Sequence, residues 1–316
     1  MPRVSVLMAH AGAAAFVGDA CNSLGAQVYR DFELIVVDDG AGVDWDAQLS
    51  SASFPWRVLT SSVRRGLAHS LNRAARAASG LLLARMDSDD LSAPSRLQRQ
   101  VEFFNAHPSV DFLGSASYWL DEHDRLLGRN YPLTEPEELS LTLTTYNQLC
   151  HGSMVIRRAA FEHLGGYDDA VAVGQDYELW LRALRAGHSF ANLADPLYGH
   201  RLHSHSSSSR HARKQGALAA SLRVLEPSLD WSQRAGAWFA AGRQRPLGRP
   251  HEPLQLGRLA VLFLAALASK RVEPTVRRSL LPFIARHASG AAELLLREVG
   301  WRHETAAKVR SLLQRA

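Results

Sequence analysis

Short apolar runs alternate with amphipathic stretches through the first two thirds of the chain. Val4 to Met8 is an apolar run of strand length. Ala13 to Gln27 follows with Phe16, Ala20 and Leu24 four apart, the spacing of a helix with one buried face. Phe32 to Val37 is a second buried strand, ending at Asp38-Asp39-Gly40. Strand, helix and strand in so short a span make a βαβ unit. Trp56 to Leu59 predicts a third strand, and Gly66 to Ala78 a helix with Leu67, Leu71, Ala74 and Ala78 on one side. Gly80 to Met86 is the next strand, and it ends abruptly in Asp87, Asp89 and Asp90.

Beyond it, Leu97, Val101 and Phe104 give a helix its core face, with Ser95 placed to cap it and Pro108 to close it. Val110 to Tyr118 predicts a strand, Asp121 to Arg129 a polar turn region, and Glu135 to Thr144 a helix. His151 to Ile156 predicts a strand and Arg158 to Leu164 a helix. Gly165-Gly166 breaks the chain before a helix whose buried face is Tyr177, Trp180, Leu181 and Leu184. Pro196 to Leu202 predicts the last strand, and His203 opens a polar, serine-rich loop. From Arg210 the pattern changes to helices rich in Ala, Leu and Arg, broken by prolines, with Pro246 to Pro253 as an internal linker. The expected fold is therefore α/β, a mostly parallel open sheet flanked by helices, over residues 1–209. A basic helical region, 210–316, follows it.

The strand-end carboxylates bring in chemistry. Alternation along a strand sends Asp87 and Asp89 to one side, where each raises the other's pKa unless a cation lies between them. Hard oxygen ligands suit magnesium or manganese. A solvated acidic turn closing a buried strand fits the same residues. No Gly-x-Gly-x-x-Gly and no Gly-x-x-x-x-Gly-Lys follows any strand, which argues against a dinucleotide fold or a P-loop.

Composition adds a compartment and a polarity. The 316 residues are 46% apolar and 21% charged, as in a globular protein. Two cysteines, Cys21 and Cys150, form no disulfide framework or metal-ligand spacing, pointing to a reducing cytoplasm. The opening residues predict a strand and no signal peptide. Residues 1–209 hold 17 Lys+Arg against 24 Asp+Glu, a balance of −7, and residues 210–316 hold 19 against 7, a balance of +12. Such a basic half attracts phosphates, anionic lipid headgroups or nucleic acid. It also contains the apolar run Leu259 to Ala268, about half a membrane span.

The motifs occur in a fixed order. They are Val36-Val37-Asp38-Asp39-Gly40, Arg65-Gly66-Leu67-Ala68 with Leu71-Asn72, and Met86-Asp87-Ser88-Asp89-Asp90. After them come Gly165-Gly166-Tyr167-Asp168, Gln175-Asp176-Tyr177-Glu178-Leu179-Trp180, and His200-Arg201-Leu202-His203. Over residues 3–209 this series resembles the family 2 glycosyltransferases, inverting enzymes of the GT-A fold. The resemblance implies that Asp39, with Asp38 beside it, contacts the base and ribose of a nucleotide-sugar donor, a UDP- or dTDP-sugar. It places Arg65 over the nucleotide, Asp87 near the ribose or sugar, and Ala9, Asn72 and Ser88 in the same donor site. Asp89 takes the DxD role, holding Mn2+ or Mg2+ on the diphosphate, with His203 completing the metal site. Asp176 matches the general base that deprotonates the acceptor hydroxyl, and His151 and Trp180 fall on the acceptor side. The implied acceptor is a glycan or a lipid-linked carrier. An anionic membrane surface, on the inner face of the cell membrane, is one expected partner of residues 210–316, and packing of their apolar run against the catalytic domain or a second subunit is the alternative.

Three positions depart from the family pattern. Ala9-His10-Ala11-Gly12 stands where Pro-x-Tyr-Asn is common, Gln175 replaces a Glu before the base, and His200 replaces a Tyr. A phosphatase-type hydrolase also uses Asp-x-Asp after a strand. It needs a lysine, however, and Lys214, Lys270 and Lys308 all lie beyond the α/β region. A binding module docking nucleic acid through the basic half lacks interleaved aromatics, and no nucleic-acid partner is expected.

Overall fold

A computed structural model describes residues 2–203, apart from Ala13, Glu135 and 144–146. The expected helical region 210–316, with its apolar run, lies outside the described residues.

Nine strands form one sheet: β1 (Val4–His10), β2 (Phe32–Asp39), β3 (Trp56–Ser61), β4 (Leu82–Asp87), β5 (Leu91–Ser92), β6 (Phe112–Leu120), β7 (Leu126–Arg129), β8 (Val155–Arg157) and β9 (Phe190–Arg201). The order is β3-β2-β1-β4-β8-β6-β9-β5, with β7 hairpinned onto β6. Pairing is parallel through β3-β2-β1-β4 and again between β6 and β9, and antiparallel elsewhere. By paired length the sheet is mostly parallel, as the apolar runs predict.

Seven helices cover it: α1 (Val17–Gly25), α2 (Trp45–Leu49), α3 (Leu67–Ala77), α4 (Arg96–Ala106), α5 (Pro136–Leu143), α6 (Arg158–His163) and α7 (Gln175–Arg185). The two-residue period of β1 explains the two cores. Val4, Val6 and Met8 face α1 and α4, whereas Leu7 faces α3 and the layer holding α5, α6 and α7. Both faces are apolar because both are covered.

Several elements differ from the sequence reading. The segment 121–129 is not all turn, because Leu126–Arg129 pairs with β6 as a strand. The segment beginning at His151 starts with a 3-10 turn, His151–Ser153, and only Val155–Arg157 is strand. The buried face of α1 is Val17, Ala20, Cys21 and Leu24, with Phe16 left half-buried ahead of it. Ser95 sits at the N-cap of α4 without a side-chain cap. Instead Gln27 reaches across from the end of α1, and its Oε1 accepts the Leu97 backbone N–H at 3.1 Å. A cap supplied 70 residues away has no local signature.

No helix among the described residues is long and apolar enough to cross a membrane.

Candidate functional site

The carboxyl ends of β1, β2 and β4 lie side by side, with His10 in register with Asp38 and Ala9 in register with Asp87. In open α/β sheets that edge is where ligands bind. Four regions of the chain meet there.

The first is the end of β2. Asp38 is buried, and its carboxylate accepts from the backbone of Ala41 (2.7 Å), Gly42 (3.2 Å) and Val43 (3.0 Å) and from the Trp45 indole (2.9 Å). Burial alone would raise this carboxyl, but the indole and the three backbone N–H groups outweigh it and hold it below the usual range. Four donors fill its acceptor sites. The expectation that Asp38 touches the nucleotide is therefore corrected: Asp38 shapes the loop that follows. Asp38→Ala should destabilise the protein by about 3 kcal/mol, because it leaves buried donors unpaired. Because its folded pKa is depressed, the wild type holds this stability above the ordinary carboxylate range and loses it as the pH falls through the folded value. Urea unfolding of wild type and variant across that range checks both statements.

Asp39, also buried, accepts from the backbone N–H of Arg65 and of Gly66, each at 2.8 Å. It ties β2 to the start of α3, where Gly66 is the N-cap, and holds the Arg65 backbone against the end of β2. Its exposed side chain projects from that corner.

The second region runs from α3 to the glycine pair. Asn72 donates to the Tyr167 carbonyl (2.8 Å) and to Asp169 Oδ1 (2.8 Å), and its own Oδ1 accepts the Tyr167 N–H (2.9 Å). Gly166, at φ +78°, passes so close that a Cβ there would stand 2.5 Å from Asn72 Oδ1. Asn72 is thus not a donor-site ligand but a clamp joining α3 to the loop ahead of α7.

The acidic turn is the third region. The strand ends at Asp87, and residues 88–89 are turn, so the closeness of Asp87 and Asp89 comes from the turn and not from strand alternation. Arg85, buried two residues earlier, pairs with Asp87 Oδ1. Burial would raise Asp87, and the Arg85 guanidinium, helped by His151 and His200, holds it low instead. Asp89 has no such cation. Burial and the charges of Asp87 and Asp90 push it up to about 6, although His203 Nε2 lies 3.0 Å from its Oδ2. Ser88 is turned inward onto His10. His10 Nε2 donates to the Gly12 carbonyl (3.0 Å), so its Nδ1 accepts the Ser88 hydroxyl (2.8 Å). Burial keeps this histidine below its usual pKa, in its neutral form.

Strand β9 locks the turn from behind. Tyr198 OH accepts the Asp87 backbone N–H at 3.0 Å. Asp90, fully buried, accepts the Arg201 N–H (2.8 Å) and pairs with His200 (3.2 Å). Burial works against a charge on His200, but Asp90, Asp87 and Asp89 overcome it and raise the imidazolium to about 9. Arg201, also buried, donates to the Asp89 carbonyl at 3.1 Å, pairs with Asp124 and Asp19, and lies 4.3 Å over the Phe16 ring.

The fourth region is the start of α7. Asp176 lies in its first turn, and its Oδ2 accepts from Asn147 Nδ2 at 2.7 Å. Helix capping does not occupy it, since the N-cap is Gly174. His151 Nε2 lies 2.7 Å from Tyr167 OH. Burial and Arg85 push His151 down to about 4 against the pull of Asp176 and Asp87, so it is neutral at pH 7. Burial likewise raises Tyr167 and keeps its hydroxyl protonated. Trp180 has no exposed surface and packs edge-on to Phe112, Phe190 and His151. It is a core residue, which corrects the expected acceptor-side contact.

The sequence reading gives no role to Arg85, Asn147 or Tyr198, and none to Tyr167 and Arg201 beyond their places in the quoted motifs. Arg85 did leave a signal, a charge inside an apolar strand. Asn147 left none, because it lies on a connection with no period to read.

Among the described residues no group of three or more His, Cys, Asp or Glu side chains could hold a metal ion by itself. Asp89 and His203 do suit a shared ion. They pair an uncompensated carboxylate with an imidazole, and phosphate oxygens and water would supply the remaining ligands.

These carboxylates lie on a curled, mostly parallel α/β sheet of the kind found in GT-A glycosyltransferases. The model for glycosyl transferase family 2 matches residues 5–165, about half the chain, and the chain belongs to that family. Among its relatives, EpsE of Bacillus subtilis (strain 168), which carries a glycosyltransferase name, is 30% identical over 203 residues, 62% of this chain and 72% of that one. The amylovoran biosynthesis glycosyltransferase AmsE of Erwinia amylovora is 29% identical over 183 residues, 55% of this chain and 66% of that one. The fold is similar to that of S. aureus TarS residues 1–349 solved in complex with UDP-GlcNAc. The TM-score is 0.60 at 16% identity, covering 99% of this chain and 89% of that one.

Proposed function

We propose that this protein is an inverting glycosyltransferase. It moves a sugar from a UDP- or dTDP-sugar to a hydroxyl of a glycan or lipid-linked acceptor in cell-surface polysaccharide or glycolipid synthesis. One observation carries the reading. Asp87 at the end of β4 and Asp176 in the first turn of α7 both act on the buried His151, and Asp89 lies beside Asp87 in the turn that follows β4. The amylovoran name of AmsE and the UDP-GlcNAc bound to TarS support the same substrate classes.

Asp39 and Arg65 would take the nucleotide, with Ala9 and Ser88 lining the approach and Asp87 facing the ribose or sugar. Asp89 and His203 would hold Mn2+ or Mg2+. Bound there, the ion neutralises charge gathering on the leaving diphosphate. Asp176, oriented by Asn147, takes the acceptor's O–H proton. The freed electron pair forms the new bond to the anomeric carbon while the bond to the diphosphate oxygen breaks and its electrons leave with the nucleotide. Attack opposite the leaving group inverts the anomeric centre. His151, neutral beside Asp176, adds no competing charge on the acceptor side.

Residues 1–209 would form the catalytic domain and 210–316 a basic region that holds it to the inner face of an anionic membrane. The +12 balance of that region supports this, since each basic residue near an anionic leaflet contributes about 1 kcal/mol.

Release of UDP or dTDP from a panel of nucleotide sugars, with and without manganese, tests the activity. NMR of the product then reads the anomer. A product retaining the donor's configuration sinks the single-displacement reading, and no nucleotide release from any donor sinks the enzyme reading.

A further inference from the structure

Trp119 stands out among the apolar side chains left in solvent. It is 42% exposed near the end of β6, while Trp45 and Trp180 are buried. Trp56, the other exposed indole among the described residues, starts β3 at the opposite edge from the carboxylates. Trp119 pairs in parallel register with His200 on β9. Register neighbours in a sheet carry their side chains on the same face. His200 reaches Asp90 on that face and lies in the fields of Asp87 and Asp89. The indole therefore borders the acidic turn, one strand away from it.

Its other neighbour is built to receive it. Across the hairpin Trp119 pairs with Gly128 of β7. A Cβ at Gly128 would stand 3.2 Å from the indole ring, so the ring lies down across a bare backbone. Gly128 is not at positive φ, so space and not conformation requires the glycine. The hairpin is braced against the site, because Asp124 in its turn pairs with Arg201, which holds the Asp89 carbonyl.

A flat, exposed indole beside a polar, charged site matches a pyranose ring, which offers an apolar C–H face to the ring and hydroxyls to its rim. We infer that Trp119, laid over Gly128, is an acceptor-saccharide platform that stacks one pyranose ring of the acceptor next to the acidic turn. The inference rests on the saccharide acceptor of the preceding reading and adds the residue that holds it.

The test uses the full chain with UDP present and methyl pyranosides of glucose, galactose, N-acetylglucosamine, mannose and rhamnose. Saturation-transfer NMR should show ring-proton contact for at least one glycoside in the wild type. Trp119→Ala should weaken that binding about tenfold, as expected for an exposed aromatic anchor. Trp119→Phe should restore most of it, and Gly128→Ala, which lifts the indole, should weaken it in the same direction. UDP affinity, read separately, shows that each variant is folded. Ring-proton contact with no glycoside, or contact unchanged in Trp119→Ala, overturns the inference. So does an effect of Trp119→Ala confined to flotation with phosphatidylglycerol vesicles or to self-association. Nucleotide release from donors is scored independently, so a failed platform and a failed enzyme reading are told apart.

Discussion

Asp176→Asn should lose sugar transfer by about two to four orders of magnitude, the usual worth of a general base, while donor affinity stays within a few-fold. The substitution is nearly isosteric, and the Asp176 carboxylate lies in the first turn of α7 without serving as its cap. Asn147 already donates to one of its oxygens. An amide at 176 can still accept that bond, so the helix start and Asn147 need not move. What it cannot do is take a proton from an attacking hydroxyl. The measurement is initial transfer rate against UDP binding by calorimetry in wild type and variant. Parallel loss of both would make Asp176 a structural residue, and unimpaired transfer would remove it from the reaction altogether.

The second large effect belongs to Asp89. Asp89→Asn, or chelation by EDTA in the wild type, should each cut transfer by about two to three orders of magnitude, the scale of removing one transition-state charge stabiliser. Asp87 has Arg85 for a counter-ion, and Asp90 has His200 and the Arg201 backbone. Among the described residues Asp89 pairs with His203 alone, and burial and its two carboxylate neighbours push it up to about 6. The proton and a divalent ion therefore compete for the same oxygens. A carboxyl with a raised folded pKa favours the protonated form, so activation by manganese should weaken as the pH falls below 6 and level off above it. Asp89→Asn should not unfold the protein, because removing an uncompensated charge relieves repulsion. Rates measured across manganese concentration at several pH values check this. Full activity after EDTA treatment and dialysis would show that the diphosphate departs without the ion.

The α/β framework was legible because its physical signal is local. Runs such as Val4 to Met8 and Phe32 to Val37 are apolar at all but one position each, Ser5 and Glu33, because helices cover both sheet faces. The acidic turn was legible because it ends an element whose period is clear, whereas Asp176, which a helix start alone would read as a cap, stood out only through the motif order shared with the family 2 glycosyltransferases. Failures fell where the deciding contact was distant. Ser95 looked like a cap because caps are usually local, yet Gln27 supplies that bond. Asp38 and Asn72 looked like ligands because they fall inside motifs shared with the family 2 glycosyltransferases. Here both are spent on the backbone of neighbouring loops, which only the tertiary arrangement could reveal. Trp180 lay on the expected apolar face of its helix, and that face proved to be its whole role.

The return of β9 along β6 sets the size of the smallest piece of chain that can work. The family match stops at residue 165, a boundary drawn by sequence likeness. Asp176, Tyr198, His200, Arg201 and His203 all come after it, and four of them touch the acidic turn laid down a hundred residues earlier. A fragment trimmed to the recognisable portion would keep the loops after β2 and lose both Asp176 and the strand that holds the carboxylates in place. For this chain the working unit is closed by contacts that run backwards from its last strand, so its edge falls no earlier than His203.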